Sequence, residues 1–123
     1  MEREKIIVQG TVDGAIYALK NKIAMNIAGG THHAFLERGE AFCLLNDQAI
    51  AANYLLKNKL AKKILIVDLD VHQGNGTADI FKDDNSVFTF SMHCKSNYPA
   101  KKAKSDLDVE LEDNLEDKEY LES

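Results

Sequence analysis

The stretch Lys63-Ile64-Leu65-Ile66-Val67-Asp68-Leu69-Asp70-Val71-His72-Gln73-Gly74-Asn75-Gly76 restricts this chain more than any other. An unbroken run of β-branched residues and leucine is the pattern of a strand buried on both faces, as in a parallel sheet covered by helices. The run ends in Asp68, Asp70 and His72, and alternation along a strand sends all three to one side. Ionised carboxylates resist burial unless they are paired or bound to a cation, and open α/β sheets gather ligands beyond the carboxyl ends of their strands. The residues therefore point to a metal site, with Gly74 and Gly76 letting the backbone turn and pass close to whatever is bound. One aspartate alone would more simply cap the next helix; three ligand types at this spacing favour the metal.

The flanking segments are read as partners of that strand. Thr11 is expected to cap a helix whose apolar face is Val12, Ala15, Ile16 and Leu19 and which ends near Asn21, while Met1 to Lys5 carry no structural signal. Ile23 to Ile27 reads as a short strand closed by Ala28-Gly29-Gly30. Residues 31–45 form a long connection without helical period, and long loops in compact domains commonly carry function. Asn46 or Asp47 caps a second helix running to about Asn58. After the central strand come a helical turn from Thr77 to Phe81 and a strand from Val87 to Met92, with His93 at its carboxyl end; Leu107, Val109 and Leu111 alternate weakly with acids. The expected fold class is α/β, a parallel sheet with helices on both faces and right-handed crossovers. It reads as incomplete, because three strands fall short of the ~5–6 of an average sheet.

Bulk properties narrow the partners. With 123 residues, one domain is the ceiling. The net charge of −5 hides an asymmetry: residues 1–104 carry 14 Lys and Arg against 11 Asp and Glu, and residues 105–123 carry 1 against 9. That acidic tail reads as a solvated face and argues against direct contact with nucleic acid. Cys43 and Cys94 form no CxxC pattern and follow no secretory segment, so they are expected to be reduced thiols in a cytoplasmic protein. No segment approaches transmembrane length, so no membrane partner is expected.

A second constellation lies at His32 and His33. Adjacent residues on a regular strand face opposite ways, so only an irregular loop lets both enter one cavity, and Ala28-Gly29-Gly30 provides such a loop. Paired histidines beside a metal offer a base near neutral pH and a second group whose charge stabilises an oxyanion.

Four ordered segments, Gly29-Gly30-Thr31-His32-His33-Ala34, Phe42-Cys43-Leu44-Leu45-Asn46-Asp47, Asp68 through Gly76, and Ser91-Met92-His93, resemble the zinc-dependent histone deacetylase family, with the class IV-like bacterial branch the best match. The resemblance implies the arginase/deacetylase fold, a catalytic Zn2+ and hydrolysis of an N-acetyl amide such as acetyl-lysine. It implies Asp70 and His72 as zinc ligands and His32 and His33 as the catalytic pair. It places Asp68 behind His32 and also, with the Ser91 hydroxyl and the Met92 carbonyl, at a monovalent-cation site for K+. Asn75 stands behind His33, where many members have an aspartate, and Phe42 matches an aromatic wall of the acyl-lysine channel. Ala41 replaces a glycine usual before that wall. The family's third zinc ligand and its oxyanion-binding tyrosine lie in a later half of the domain. Residues 1–123 are thus expected to be the central portion of a catalytic domain, inactive alone and partnered by the missing halves. Two other readings are an arginase-like metallohydrolase, disfavoured because His72 with a tandem histidine suits one zinc rather than two metals, and a non-catalytic interaction remnant of the same fold.

Overall fold

A computed structural model describes residues 1–123. The chain forms α1 (Glu2–Asn21), α2 (Asp47–Lys57), β1 (Ile64–Asp68), α3 (Asn75–Phe81), β2 (Val87–Cys94), β3 (Leu107–Leu111) and α4 (Asp117–Glu122). The strands make one parallel sheet in the order β1-β2-β3, with Ile64 opposite Val87, Asp68 opposite Ser91, and Phe90 opposite Leu107. Parallel neighbours need a crossover, and α3 supplies it between β1 and β2.

The core lies between the sheet and two helices. Ala49 and Ala52 of α2, Ile66, Phe81 and Val87 form one buried cluster, with Leu56, Ile64 and Ile80 packed against it. Burying side chains the size of Ile66, Phe81 and Val87 stabilises by about 1.5–3 kcal/mol each. The α2 helix packs against α1 and α3, and its alanines join the strand residues in the core cluster. On the opposite face of the sheet Leu65, Val67 and Phe88 are about half exposed, so within residues 1–123 β1 is buried on one face and not, as its unbroken apolar run suggests, on both.

The structure departs from the sequence pattern at the first helix and at residues 23–27. The first helix begins at Glu2, where Glu2 and Glu4 sit favourably at its positive end. Thr11 is therefore inside the helix and not its cap; its hydroxyl donates to Asp47 Oδ2 at 2.6 Å and accepts from Asn26 Nδ2 at 2.7 Å. Residues 23–27 are not a strand: no ladder forms, and Ile23, Met25 and Ile27 are exposed. β-propensity reports fit to a neighbouring pleated surface, which this segment lacks here. The third strand is instead Leu107–Leu111, inside the acid run, held by its pairing with β2. Gln73, fully buried, also fastens it: the amide donates to Ala103 O at 3.0 Å and Asp108 Oδ1 at 2.8 Å and accepts from Ala103 N at 2.7 Å. Asp106 accepts from the backbone and hydroxyl of Thr89 at 2.8 and 2.9 Å.

No helix is long and apolar enough to cross a membrane. Cys43 and Cys94 are both free thiols.

Candidate active site

β1 ends at Asp68, so Asp70 and His72 lie beyond it in a bend. The pleat therefore does not align the three side chains, contrary to the alternation argument. Hydrogen bonds in the turn do so instead: Asp68 Oδ1 accepts from Asp70 N at 3.1 Å, and Asp70 Oδ1 accepts from His72 N at 2.8 Å. Each carboxylate holds the amide two residues ahead, an Asx-type turn repeated once. The result brings His72 Nδ1 to 3.0 Å from Asp70 Oδ1. Both side chains remain about half exposed, whereas Asp68 is buried.

The loop bearing His32 and His33 is pinned from below. Asp47, 1% exposed at the start of α2, accepts from Gly30 N, from Thr31 N at 2.8 Å, from the Thr31 hydroxyl at 2.7 Å and from Thr11. Asn46 caps α2 through Ala49 N at 2.9 Å while its amide reaches Ala34 O at 3.2 Å and Thr77 Oγ1 at 3.0 Å. Thr77 N donates to His32 O at 3.1 Å. The glycines after β1 explain how closely this loop can approach. A Cβ on Gly76 would stand 2.3 Å from Ala34 O and 2.6 Å from the His33 carbonyl carbon, and one on Gly74 would stand 2.3 Å from Asp68 Oδ2. Their space is needed by the histidine loop and by Asp68 themselves.

Both histidines are buried, with ring centroids 4.1 Å apart, but their surroundings differ. His32 Nδ1 meets Asp68 Oδ2 at 2.5 Å, and its Nε2 lies 4.0 Å from Asp70 Oδ1. Burial alone would lower the pKa of His32, but the hydrogen bond to Asp68 and the charges of Asp68 and Asp70 outweigh it and raise it. His33 Nδ1 meets Asn75 Oδ1 at 2.7 Å, a neutral partner. Burial therefore prevails at His33 and, helped by the nearby His32 and His72, lowers its pKa. The ring of His72 is 5.9 Å from that of His33, and Tyr98 stands edge-on to His33 at 5.0 Å.

The remaining predicted residues are more dispersed. Ser91 Oγ lies 3.0 Å from His93 Nδ1; His93 is 1% exposed, and its Nε2 has no partner within the chain. Met92 and His93 line an open cavity of about 610 Å³ that also reaches Asp70. Phe42 projects fully exposed from the 35–44 loop, where Ala41 and Phe42 both take left-handed backbone, φ 46° and 67°. No group of three or more His, Cys, Asp or Glu is arranged to hold an ion; Asp70 and His72 offer two ligands. The sequence reading missed Glu40, Tyr98 and the part played by Asp47. Glu40 Oε1 accepts from Asn75 Nδ2 at 2.7 Å and from the Tyr98 hydroxyl at 2.8 Å. Asp47 left a signal, since a second polar residue directly follows the cap Asn46; Glu40, 35 positions from Asn75, left none.

The sequence matches the histone deacetylase domain over residues 1–123. It is 54% identical over 121 residues to an uncharacterized protein of Picosynechococcus sp., covering 98% of this chain and 40% of that protein. Against the acetoin utilization protein AcuC of Bacillus subtilis it is 35% identical over 99 residues, covering 79% of this chain and 25% of AcuC. The crystal structure of a histone deacetylase homologue from Aquifex aeolicus superposes with a TM-score of 0.83 at 30% identity, covering 98% of this chain and 36% of that one. The chain thus spans well under half the length of these relatives, and the sheet with its flanking helices has the deacetylase α/β fold. Matched along its whole length by the family and by structure, this chain belongs to the histone deacetylase family.

Proposed function

We propose that this chain carries the proton-handling histidines and two metal ligands of a zinc-dependent deacetylase centre acting on an N-acetyl amide such as acetyl-lysine. One observation carries the reading: two buried histidines, their rings tilted against each other, pushed in opposite pKa directions beside a carboxylate and an imidazole that face each other. Neighbouring groups whose environments drive their pKa values apart are the pattern of an acid and base pair.

The donor set at Asp70 and His72 fits zinc. Two ligands of one tetrahedral zinc, each at about 2.0–2.1 Å, lie about 3.3 Å apart, and Asp70 Oδ1 and His72 Nδ1 are 3.0 Å apart with Asp70 held by the backbone of His72. When bound, zinc supplies Lewis acidity toward the amide carbonyl and lowers the pKa of water. His33, the more easily deprotonated ring, accepts the proton of the attacking water. His32, whose protonated form Asp68 favours, stabilises the developing charge. Asp68 with Ser91 and the Met92 carbonyl would hold K+, which would steady the turn that presents Asp70 and His72. Phe42, exposed on its loop, would flank an entering acyl chain.

Catalytic zinc sites carry three protein ligands, and this chain offers two. Tyr98, the tyrosine against His33, gives its hydroxyl to Glu40 and is not free to bind an oxyanion. Asp106 is committed to Thr89. The chain alone is therefore expected to bind zinc weakly and to show no measurable turnover, since loss of an oxyanion donor by itself costs roughly 10²–10³ in rate. An acetyl-lysine peptide hydrolysis assay with added zinc, run beside Asp70→Ala, tests this. Turnover that vanishes in the variant would overturn the claim that the chain alone is inactive; zinc binding indifferent to Asp70→Ala would overturn the assignment of the site.

A further inference from the structure

We propose that Glu40 is a positioning residue which, through Asn75, fixes the nitrogen of His33 that carries the proton. Glu40 Oε1 accepts from Asn75 Nδ2 at 2.7 Å and from the Tyr98 hydroxyl at 2.8 Å, and Arg38 donates to Oε2 at 3.1 Å. The hydrogen bonds from Tyr98 and Asn75 hold the Glu40 carboxyl below its ordinary pKa, so it is an acceptor and nothing else.

An acceptor on that side settles the amide. The Asn75 NH2 must face Glu40, which leaves Oδ1 facing His33 Nδ1 at 2.7 Å. An amide oxygen only accepts, so Nδ1 of the neutral ring bears the hydrogen and Nε2 keeps the lone pair. Turning the amide over, as an Nε2–H ring would require, would set Oδ1 against the Glu40 carboxylate and lose the Asn75–Glu40 bond. Asn75 is 3% exposed and His33 5% exposed, so water cannot make good the loss on the Asn75 and His33 side, although Glu40 itself is partly exposed. One buried bond of this kind is worth roughly a factor of ten or more between tautomers. The asparagine thereby does the orienting work of a carboxylate, with the charge moved one residue outward onto Glu40. The functional meaning rests on His33 being the base, because a base needs its lone pair on the nitrogen not facing Asn75.

The test reads the tautomer directly. The 123-residue chain, labelled with 15N in its histidine rings, is examined by long-range 1H–15N correlation near pH 8, with His33 assigned from the resonances missing in His33→Gln. Wild type should show a protonated Nδ1 and an unprotonated Nε2 in roughly tenfold excess or more. Glu40→Leu, with an unchanged circular dichroism spectrum, should draw the two nitrogen shifts together, whereas Glu40→Gln, whose amide oxygen still accepts from Asn75, should keep them apart. An Nε2–H ring in wild type, or Glu40→Leu retaining the wild-type pattern, would overturn the proposal. If Glu40→Leu does not fold, the isosteric Glu40→Met, which also lacks an accepting oxygen, takes its place: nitrogen shifts drawn together there support the relay, and the wild-type pattern overturns it. None of these readings depends on turnover, so absence of deacetylase activity would bear on the proposed function and not on this.

Discussion

Replacing Asp47 by alanine should cost more stability than any other single polar substitution outside the proposed zinc ligands Asp70 and His72. Asp47 is 1% exposed and takes hydrogen bonds from the backbones of Gly30 and Thr31 and from the hydroxyls of Thr31 and Thr11. It ties α1, the glycine turn and α2 to the loop that bears His32 and His33. Removing it takes the charged acceptor from an exposed Gly30 and half-buried Thr31 and Thr11, and losing hydrogen bonds to a charged group costs about 1.5–3 kcal/mol each, a large share of the ~5–15 kcal/mol that holds a small domain together. Asp47→Asn keeps one oxygen for Gly30 and Thr31 and offends chiefly Thr11, whose hydroxyl already accepts from Asn26; about 1–2 kcal/mol is expected. Urea unfolding followed by circular dichroism at pH 7, with unchanged slope, measures both. The pH dependence supplies an independent check. Burial alone would raise the pKa of Asp47, but its hydrogen bonds from Thr11, Thr31 and Gly30 lower it below the ordinary 3.8. The folded value is thus the depressed one, so this contribution is complete above about pH 4 and is lost as the pH falls through the folded value. Wild type should lose stability over that acid window more steeply than Asp47→Asn. Asp47→Ala within 1 kcal/mol of wild type, on the order of one ordinary hydrogen bond, together with superimposable acid limbs for wild type and Asp47→Asn, would refute the hub.

Four further outcomes are expected. Gly76→Ala should lower stability by about 1–3 kcal/mol through overpacking against the histidine loop, since its Cβ would sit 2.3 Å from Ala34 O; an unchanged urea midpoint would contradict that. By calorimetric titration, Asp70→Ala should weaken zinc binding beyond the roughly 10–100-fold that outer partners cost, and His33→Ala should weaken it less; equal losses would contradict the assigned roles. Ala41→Gly should raise stability by up to about 1 kcal/mol, because it relieves left-handed strain at φ 46° at the entropic cost of glycine, and a lower midpoint would count against it. The native mass should be unchanged by reductant, Cys43 and Cys94 being free; a gain of two hydrogens would show a bridge.

The sequence alone determined what depends on near neighbours or on chemistry repeated along the chain. The apolar run into Asp68 declared a parallel strand, Asn46 or Asp47 declared the start of α2, and the tandem histidines with Asp70 and His72 declared the family and the place where its chemistry gathers. Tertiary structure decided whatever needed a distant partner. Residues 23–27 have strand composition but no strand beside them, whereas Leu107–Leu111, weak by composition, pairs with β2 and is stitched by Gln73 from 35 residues away. The convergence of Asp70 and His72 comes from backbone amides captured in a turn and not from pleating, which no spacing of residues could distinguish. The unlike surroundings of His32 and His33 belong to the same class: adjacent and chemically identical, they differ because folding sets a carboxylate against one and an amide, itself held by Glu40, against the other.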